Sequence, residues 1–294
     1  MFAKLSKPLW RFRSPKELEN TVILSYSVKR DLNQKKTVAS LSVTIDKYFN
    51  DFIFVGEYAQ SDTNIFFPGI NNLIKKALKK LFKHKVHNNE NESFFIDNLI
   101  ILREGVNESQ KALCLSFELN SENLNSIKNL IKEKTKNKNA PKVKLMVVFI
   151  NDRNDTKIFK NEERQEKSQS SGLDHFLQTG DSREIRAVDY ADVGTLVDWE
   201  SGITLSDRDF EFYINSAFPT IGGSNFTKYT VVYDETELTE IVYALMYNLC
   251  FLYFNNPQPI KMPAPLYYVI RMNNYMINHL GFMPEKMDLT NFAL

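Results

Sequence analysis

The amino-acid sequence predicts an α/β domain with a mixed central sheet flanked by helices. Two observations carry this. Three apolar runs of strand length crowd into the first sixty residues, and after them helical and strand patterns alternate. TVILSYSV (21–28), TVASLSVTI (37–45) and NDFIFVGEYAQ (50–60) are joined by short connections, which favours antiparallel hairpins. Ile70, Leu73, Ile74, Ala77, Leu78, Leu81 and Phe82 then repeat at i, i+3, i+4 and predict a helix, with Lys75, Lys76, Lys79, Lys80 and Lys83 on its other face. After a polar loop (87–93), FFIDNLIIL (94–102) reads as a fourth strand ending at Arg103-Glu104-Gly105. A helical region follows over 108–134, broken near Asn120-Ser121. After a turn (136–141), KVKLMVVFI (142–150) reads as a fifth strand.

The second half is less regular. Residues 160–185 are polar and predict a flexible loop. FEFYINSAF (210–218) and TKYTVVYD (227–234) read as strands. ELTEIVYALMYNLCFLYF (237–254) is apolar nearly all round, which predicts a buried helix. Residues 262–280 are helical after prolines at the start.

Composition narrows the function classes. With 294 residues, 43% of them hydrophobic and 25% charged, the chain can bury a sizeable core, and a wholly disordered chain is excluded. No apolar run reaches the roughly 18 residues of a membrane span, and no signal-type segment opens the chain; a cytosolic or nuclear protein without a membrane partner is expected. Cys114 and Cys250 sit in apolar settings and read as buried thiols. Four histidines and two scattered cysteines show no zinc spacing. Glycine-rich phosphate loops, dinucleotide fingerprints and G-x-S-x-G are missing, and Gly222-Gly223 reads as a tight turn; no cofactor and no bound metal are expected. Residues 1–150 carry a net charge of +10 and residues 151–294 a net of −9, an asymmetry that favours a polyanionic partner. The lysine-faced helix reads as a solvated surface helix, with nucleic acid, anionic lipid or a calmodulin-like protein as its functional readings.

The stretch around 94–110 is more specific. A buried strand ends at Glu104, followed by glycine and a helix start. In RNase H-type nucleases a metal-binding carboxylate stands there, because two-metal phosphodiester cleavage needs acids gathered from neighbouring strand ends.

Several stretches, in order, resemble the PIWI domain of eukaryotic Argonaute and Piwi proteins. LREGVNESQ (102–110) resembles R-D-G-V-S-E-G-Q, with Glu118-Leu119 at the family's spacing. LMVVFINDRNDTKIF (145–159) resembles the family's basic strand and turn. Residues 192–218 resemble its G-T-x-V-D and F-D-F-Y-L segments, TKYTVVYDE (227–235) its H-Y-x-V-L-x-D-D strand, and YNLCFLYF (247–254) with IKMPAPLYYVIRMNNYMINHL (260–280) its last helices. The resemblance covers roughly 20–294 and implies an RNase H-like fold over 21–294, with 1–20 as an N-terminal extension too short to supply N, PAZ and MID domains.

Slicing members hold two Mg²⁺ ions with Asp, Glu, Asp and a His or Asp. The resemblance places Ser27, Glu104 and Lys228 at three of these positions. The glutamate finger falls near Pro68, with Glu57 and Asp62 as shifted candidates. Ser27 removes a charge and Lys228 would repel a cation, so a dead tetrad is expected, with Lys228 paired to Glu104 in place of a metal charge. The family's Arg of R-P-(T/S)-H falls at Asn225, and the turn after the strand (DETELTE, 234–240) is acidic where the family often has an arginine that helps hold the guide's 5′ phosphate, so independent guide binding is weakened. The reading is a catalytically inactive interaction or assembly subunit of a small-RNA silencing pathway. A partner protein would supply MID and PAZ functions or carry a tryptophan-bearing peptide. The chain would bind single-stranded or duplex RNA through Lys75, Lys76, Lys79, Lys80, Arg103, Lys142, Lys144, Arg153, Lys157 and Lys228. The alternative is a metal-dependent RNase H-type nuclease with relocated acids (Asp31, Asp46, Glu57, Asp62 and Glu104).

Overall fold

The computed structural model describes residues 10–32, 34–60, 65–87, 94–135, 141–153, 156, 158–161, 188–198, 210–217 and 226–280. The first three strands are β1 (Thr21–Asp31), β2 (Lys36–Thr44) and β3 (Phe52–Ala59). They are followed by α1 (Ile70–His87), β4 (Asn98–Glu104), α2 (Glu108–Phe117), α3 (Ser121–Lys134) and β5 (Lys144–Asn151). Then come β6 (Phe159–Asn161), β7 (Val188–Tyr190), β8 (Leu196–Val197), β9 (Phe210–Ile214) and β10 (Thr227–Asp234), and helices α4 (Thr239–Leu249) and α5 (Ala264–Tyr275). Eight strands form one mixed sheet in the order β3-β2-β1-β4-β5-β10-β9-β8, and β6 pairs with β7 in a separate ribbon.

β1, β2 and β3 pair antiparallel, whereas β4 lies parallel to β1 and β5 parallel to β4. Side chains alternate across these buried strands, so continuous apolar runs feed two cores. Leu99 and Ile101 of β4, with Leu145, Val147 and Phe149 of β5, pack with α1, α2 and α3. Ile100 and Leu102, with Met146, Val148 and Ile150, pack with α4 and α5 on the other face. The fold is thus a sheet between two helical layers.

α5 rests on a serine-lined face. Ser25, Ser27, Ser40 and Ser42 are all buried, and Ser42 Oγ donates to the Pro265 carbonyl at 3.1 Å. Asn273 Nδ2 donates to the Ser27 carbonyl at 3.1 Å. Small side chains on β1 and β2 let the helix approach, and the Pro263-Ala264-Pro265 entry starts it with φ already fixed. Residues 10–20 lie against the same layer. Trp10 Nε1 donates to the Phe251 carbonyl at 2.7 Å, and Leu18 is in the core.

Three expectations need correction. The fourth strand starts later than predicted: Phe94 and Ile96 pack on α1 before the strand, which runs on through Arg103 and Glu104. α4 stops at Leu249 and buries Val242, Leu245, Met246 and Leu249, leaving Ala244 exposed, so it is a one-sided helix; its solvent side is apolar because it carries alanine and tyrosine. Residues 160 and 161 belong to β6. The rest of the polar stretch, most of the 136–141 turn and 87–93 loop, Gly222-Gly223 and the chain end after 280 lie outside the described residues.

Candidate functional site

The carboxyl ends of the parallel strands β1, β4 and β5 meet at one edge of the sheet, where α/β proteins place ligand crevices. Register sets Tyr26 beside Arg103 and Glu104 beside Ile150. Ser27 and Glu104 therefore share the α5 face. Ser27 Oγ donates to Glu104 Oε2 at 2.6 Å and accepts from Asn273 Nδ2 at 3.1 Å. Gly105 then turns the chain at φ +75°, a left-handed conformation suited to glycine, and its N–H donates to the Ile150 carbonyl at 3.0 Å. α5 supplies Ile270, Asn273 and Asn274 to a cleft of 440 Å³ that also takes in Glu104, Asn151 and Arg153.

Lys228 does not face this cleft. It pairs with Asn151, one position on from Ile150, and adjacent strand positions point to opposite faces. Its ammonium lies 3.0 Å from Glu108 Oε1 and 2.7 Å from Glu211 Oε1, on the α2 side. The expected Lys228–Glu104 pair is replaced by this triad. Ile270 also lines the cleft, and its side chain offers no metal-ligating atom. Burial opposes the charge on Lys228, but hydrogen bonds to Glu211 and Glu108 outweigh it and raise the lysine pKa. Burial likewise raises Glu108, and the bond to Lys228 more than reverses this and lowers it.

Arg103, one residue before Glu104, points to the α1–α3 face and is 2% exposed. Its Nε donates to Glu118 Oε2 at 3.1 Å and Nη2 to the Ile65 carbonyl at 2.8 Å, with Nη1 on the Glu104 carbonyl. Glu118 also accepts from Tyr26 Oη at 2.9 Å and from the Phe67 N–H at 2.8 Å. Arg103 is consumed inside the protein and offers nothing to a phosphate.

The remaining candidate cations fall in separate places. Lys76, Lys79 and Lys80 are exposed and Lys75 is half-buried on α1. Lys142 and Lys144 stand at the amino end of β5, the opposite edge of the sheet from Arg153. Lys157, Asn225 and Asp62 lie outside the described residues. Of the relocated acids, Asp46 accepts from the N–H groups of Tyr48, Asn50 and Asp51 in a turn at the far edge. Glu57 pairs with Ala39 and so faces the α1 side. Asp31 lies four residues beyond Ser27, ~13 Å along the strand. Among the described residues no three His, Cys, Asp or Glu side chains could hold a metal ion together. The cleft is lined by two carboxylates, Glu104, already bonded to a hydroxyl, and Asp152, where two Mg²⁺ ions need several hard anionic ligands. The described donor set does not fit that centre.

Glu108 and Glu211 escape the sequence reading. Phe210-Glu211-Phe212 carried one signal, an acid alternating with aromatics on a buried strand, which requires an internal cation.

Solved structures share this architecture. The chain matches Drosophila Piwi with a TM-score of 0.68 and 16% identity, covering 99% of this chain and 34% of that one. It matches the C-terminal lobe of a budding yeast Argonaute with a TM-score of 0.65 and 21% identity, over 87% of this chain and 46% of that one. Kluyveromyces polysporus Argonaute, solved with a guide RNA, matches with a TM-score of 0.65 and 20% identity, over 87% and 26%. These likenesses define an RNase H-like α/β fold of the Argonaute type.

The chain belongs to the Piwi domain family, which residues 1–280 match. Among curated relatives, protein argonaute 7 of Arabidopsis thaliana is 34% identical over 76 residues, 26% of this chain and 7% of the relative. Piwi-like protein Ago3 of Bombyx mori is 35% identical over 82 residues, 27% of this chain and 8% of the relative. The chain thus spans less than a tenth of these relatives' length.

Proposed function

We propose that the protein is a catalytically inactive PIWI module that serves as an interaction or assembly subunit in a small-RNA pathway. The observation that carries this is the Asn273–Ser27–Glu104 hydrogen-bonded chain, in a cleft that Ile270 also lines. It holds Glu104 with a neutral hydroxyl that is itself held by an amide, in a cleft whose other lining carboxylate is Asp152. Losing one ligand of a two-metal site removes charge that holds the ions, and Glu104 with Asp152 falls short of the several hard anionic ligands such a site needs.

The interaction role has its own support. A cavity of 500 Å³ lies between the end of α3 and the start of β5, lined by Phe95, Ile96, Ile131, Pro141 and Val143 together with Lys128, Lys132 and Lys142. Such a lining suits an aromatic side chain of a partner peptide, and it does not depend on catalysis. RNA binding is the companion reading, resting on the α1 lysines and Arg153, because phosphate neutralisation needs exposed cations.

The test is purification of the chain from its native cells, with co-purifying protein and nucleic acid analysed together. A stoichiometric protein partner supports the subunit reading, and short RNAs of uniform length add guide handling. A chain that is pure, alone and free of RNA refutes both.

A further inference from the structure

We infer that the solvent faces of α2 and α1 form a docking surface for an acidic protein segment carrying apolar anchor residues. This rests on the reading of the chain as an interaction subunit, and it concerns a surface separate from the cleft and from the 500 Å³ cavity.

α2 turns apolar residues outward. Leu113 is 40% exposed and Phe117 is 55% exposed, and at i, i+4 they share one face of the helix. Phe66 stacks flat on Phe117, with ring centroids 4.4 Å apart and planes 9° apart. An exposed leucine on the same helix face as a stacked aromatic pair marks an association surface, and one with pre-ordered rings binds at low entropic cost.

α1 adjoins this patch. Asn71 Nδ2 donates to Asn123 Oδ1 at 2.7 Å, and Asn123 Nδ2 donates to the carbonyls of Phe117 and Glu118. These bonds tie the first turn of α1 to the end of α2. One turn further on, Lys76, Lys79, Lys80 and Lys83 face solvent, and none has a carboxylate partner among the described residues. Crowding is felt within the stripe: burial and the neighbouring Lys76 both lower the pKa of Lys80. From Lys76 to Lys83 the stripe runs ~10 Å along the helix.

The combination selects the partner. The solvated lysine stripe, without a carboxylate partner among the described residues, favours an anionic partner, and the apolar patch favours aliphatic or aromatic side chains. RNA fits the patch less well. Each stacked ring already has one face covered by the other, and Leu113 offers no plane to a base. An acidic segment with leucine or phenylalanine anchors satisfies both halves of the surface.

The test uses fluorescence anisotropy on the whole chain. The probe is a labelled 20-residue peptide with Leu and Phe at i, i+3, i+4, i+7 and Asp or Glu elsewhere. A same-composition scramble, a 20-nucleotide polyuridine RNA and phosphatidylserine vesicles are run beside it. The expected result is saturable peptide binding, better than for the scramble. It should be weakened about tenfold or more by Leu113→Ser/Phe117→Ser and, separately, by Lys76→Glu/Lys79→Glu, with unfolding midpoints unchanged. Three results would overturn it: peptide binding indifferent to Phe117, binding no better than the scramble, or RNA or vesicles alone binding in a Phe117-dependent way. A native partner retained by the Leu113→Ser/Phe117→Ser variant would reject this surface while leaving the subunit reading intact.

Discussion

Replacing Lys228 by methionine isolates the strongest electrostatic commitment in the sheet. Methionine keeps the length and apolar stem but removes the ammonium. Glu211 has no exposed side-chain surface, and Lys228 Nζ lies 2.7 Å away. Its carboxylate would be left buried without a countercharge, a loss of about 3–5 kcal/mol. Glu108 is different: its side chain is 55% exposed, and losing its bond to Lys228 costs at most about 1 kcal/mol after solvent screening. We therefore expect Lys228→Met to cost about 3 kcal/mol, Glu108→Gln under about 1 kcal/mol, and Lys228→Met/Glu211→Leu to recover most of the loss. Urea unfolding read from the midpoint at constant slope gives these values. A Lys228→Met midpoint within error of the wild type, or a double variant no better than the single one, would show that Glu211 does not depend on Lys228 for its countercharge.

Other predictions follow from the same burial and pairing. Arg103→Leu leaves Glu118 buried and unpaired and should cost about 3–5 kcal/mol, and Arg103→Lys should recover only part because it loses the planar fork; thermal or urea unfolding measures both. The lowered pKa of Glu108 means that its contribution is present above its ordinary value of 4.5 and is lost as pH falls through the folded value below that. The raised pKa of Lys228 means that its contribution is present below 10.5 and is lost as pH rises through a folded value above that. The midpoint difference between wild type and Lys228→Met should thus hold from about pH 5 to about pH 10 and shrink below 4.5 and above 10.5. Burial pushes the Cys114 thiol up to about 11 and Cys250 to about 12. Iodoacetamide at pH 8 should label them slowly in the native protein and quickly in urea, as read by mass spectrometry.

Much of the fold was legible because its signals are local. The period of α1 and the alternating or continuous apolar runs of β1, β2, β4, β5 and β10 each lie within one window of sequence. The insertion of β4 beside β1 was not, since it depends on a parallel pairing across seventy residues. At the site, the period of a strand held more than was first read from it. Arg103 and Glu104 are neighbours in one strand and must point to opposite faces, which separates the cation from the cleft. Lys228 was misplaced because its face depends on the register between β5 and β10, and no single strand encodes that. Ile270 and Asn273 reach the cleft only through the crossing of α5 over β1. Glu108 and Glu211 meet Lys228 from two other elements, 120 and 17 positions away.

The most direct test of the inactive-site claim is cleavage of a guide-paired RNA by the purified chain in Mg²⁺ and in Mn²⁺, with Glu104→Ala as the control. No product above background is expected for either protein. A divalent-dependent product made by the wild type and abolished by Glu104→Ala would contradict it.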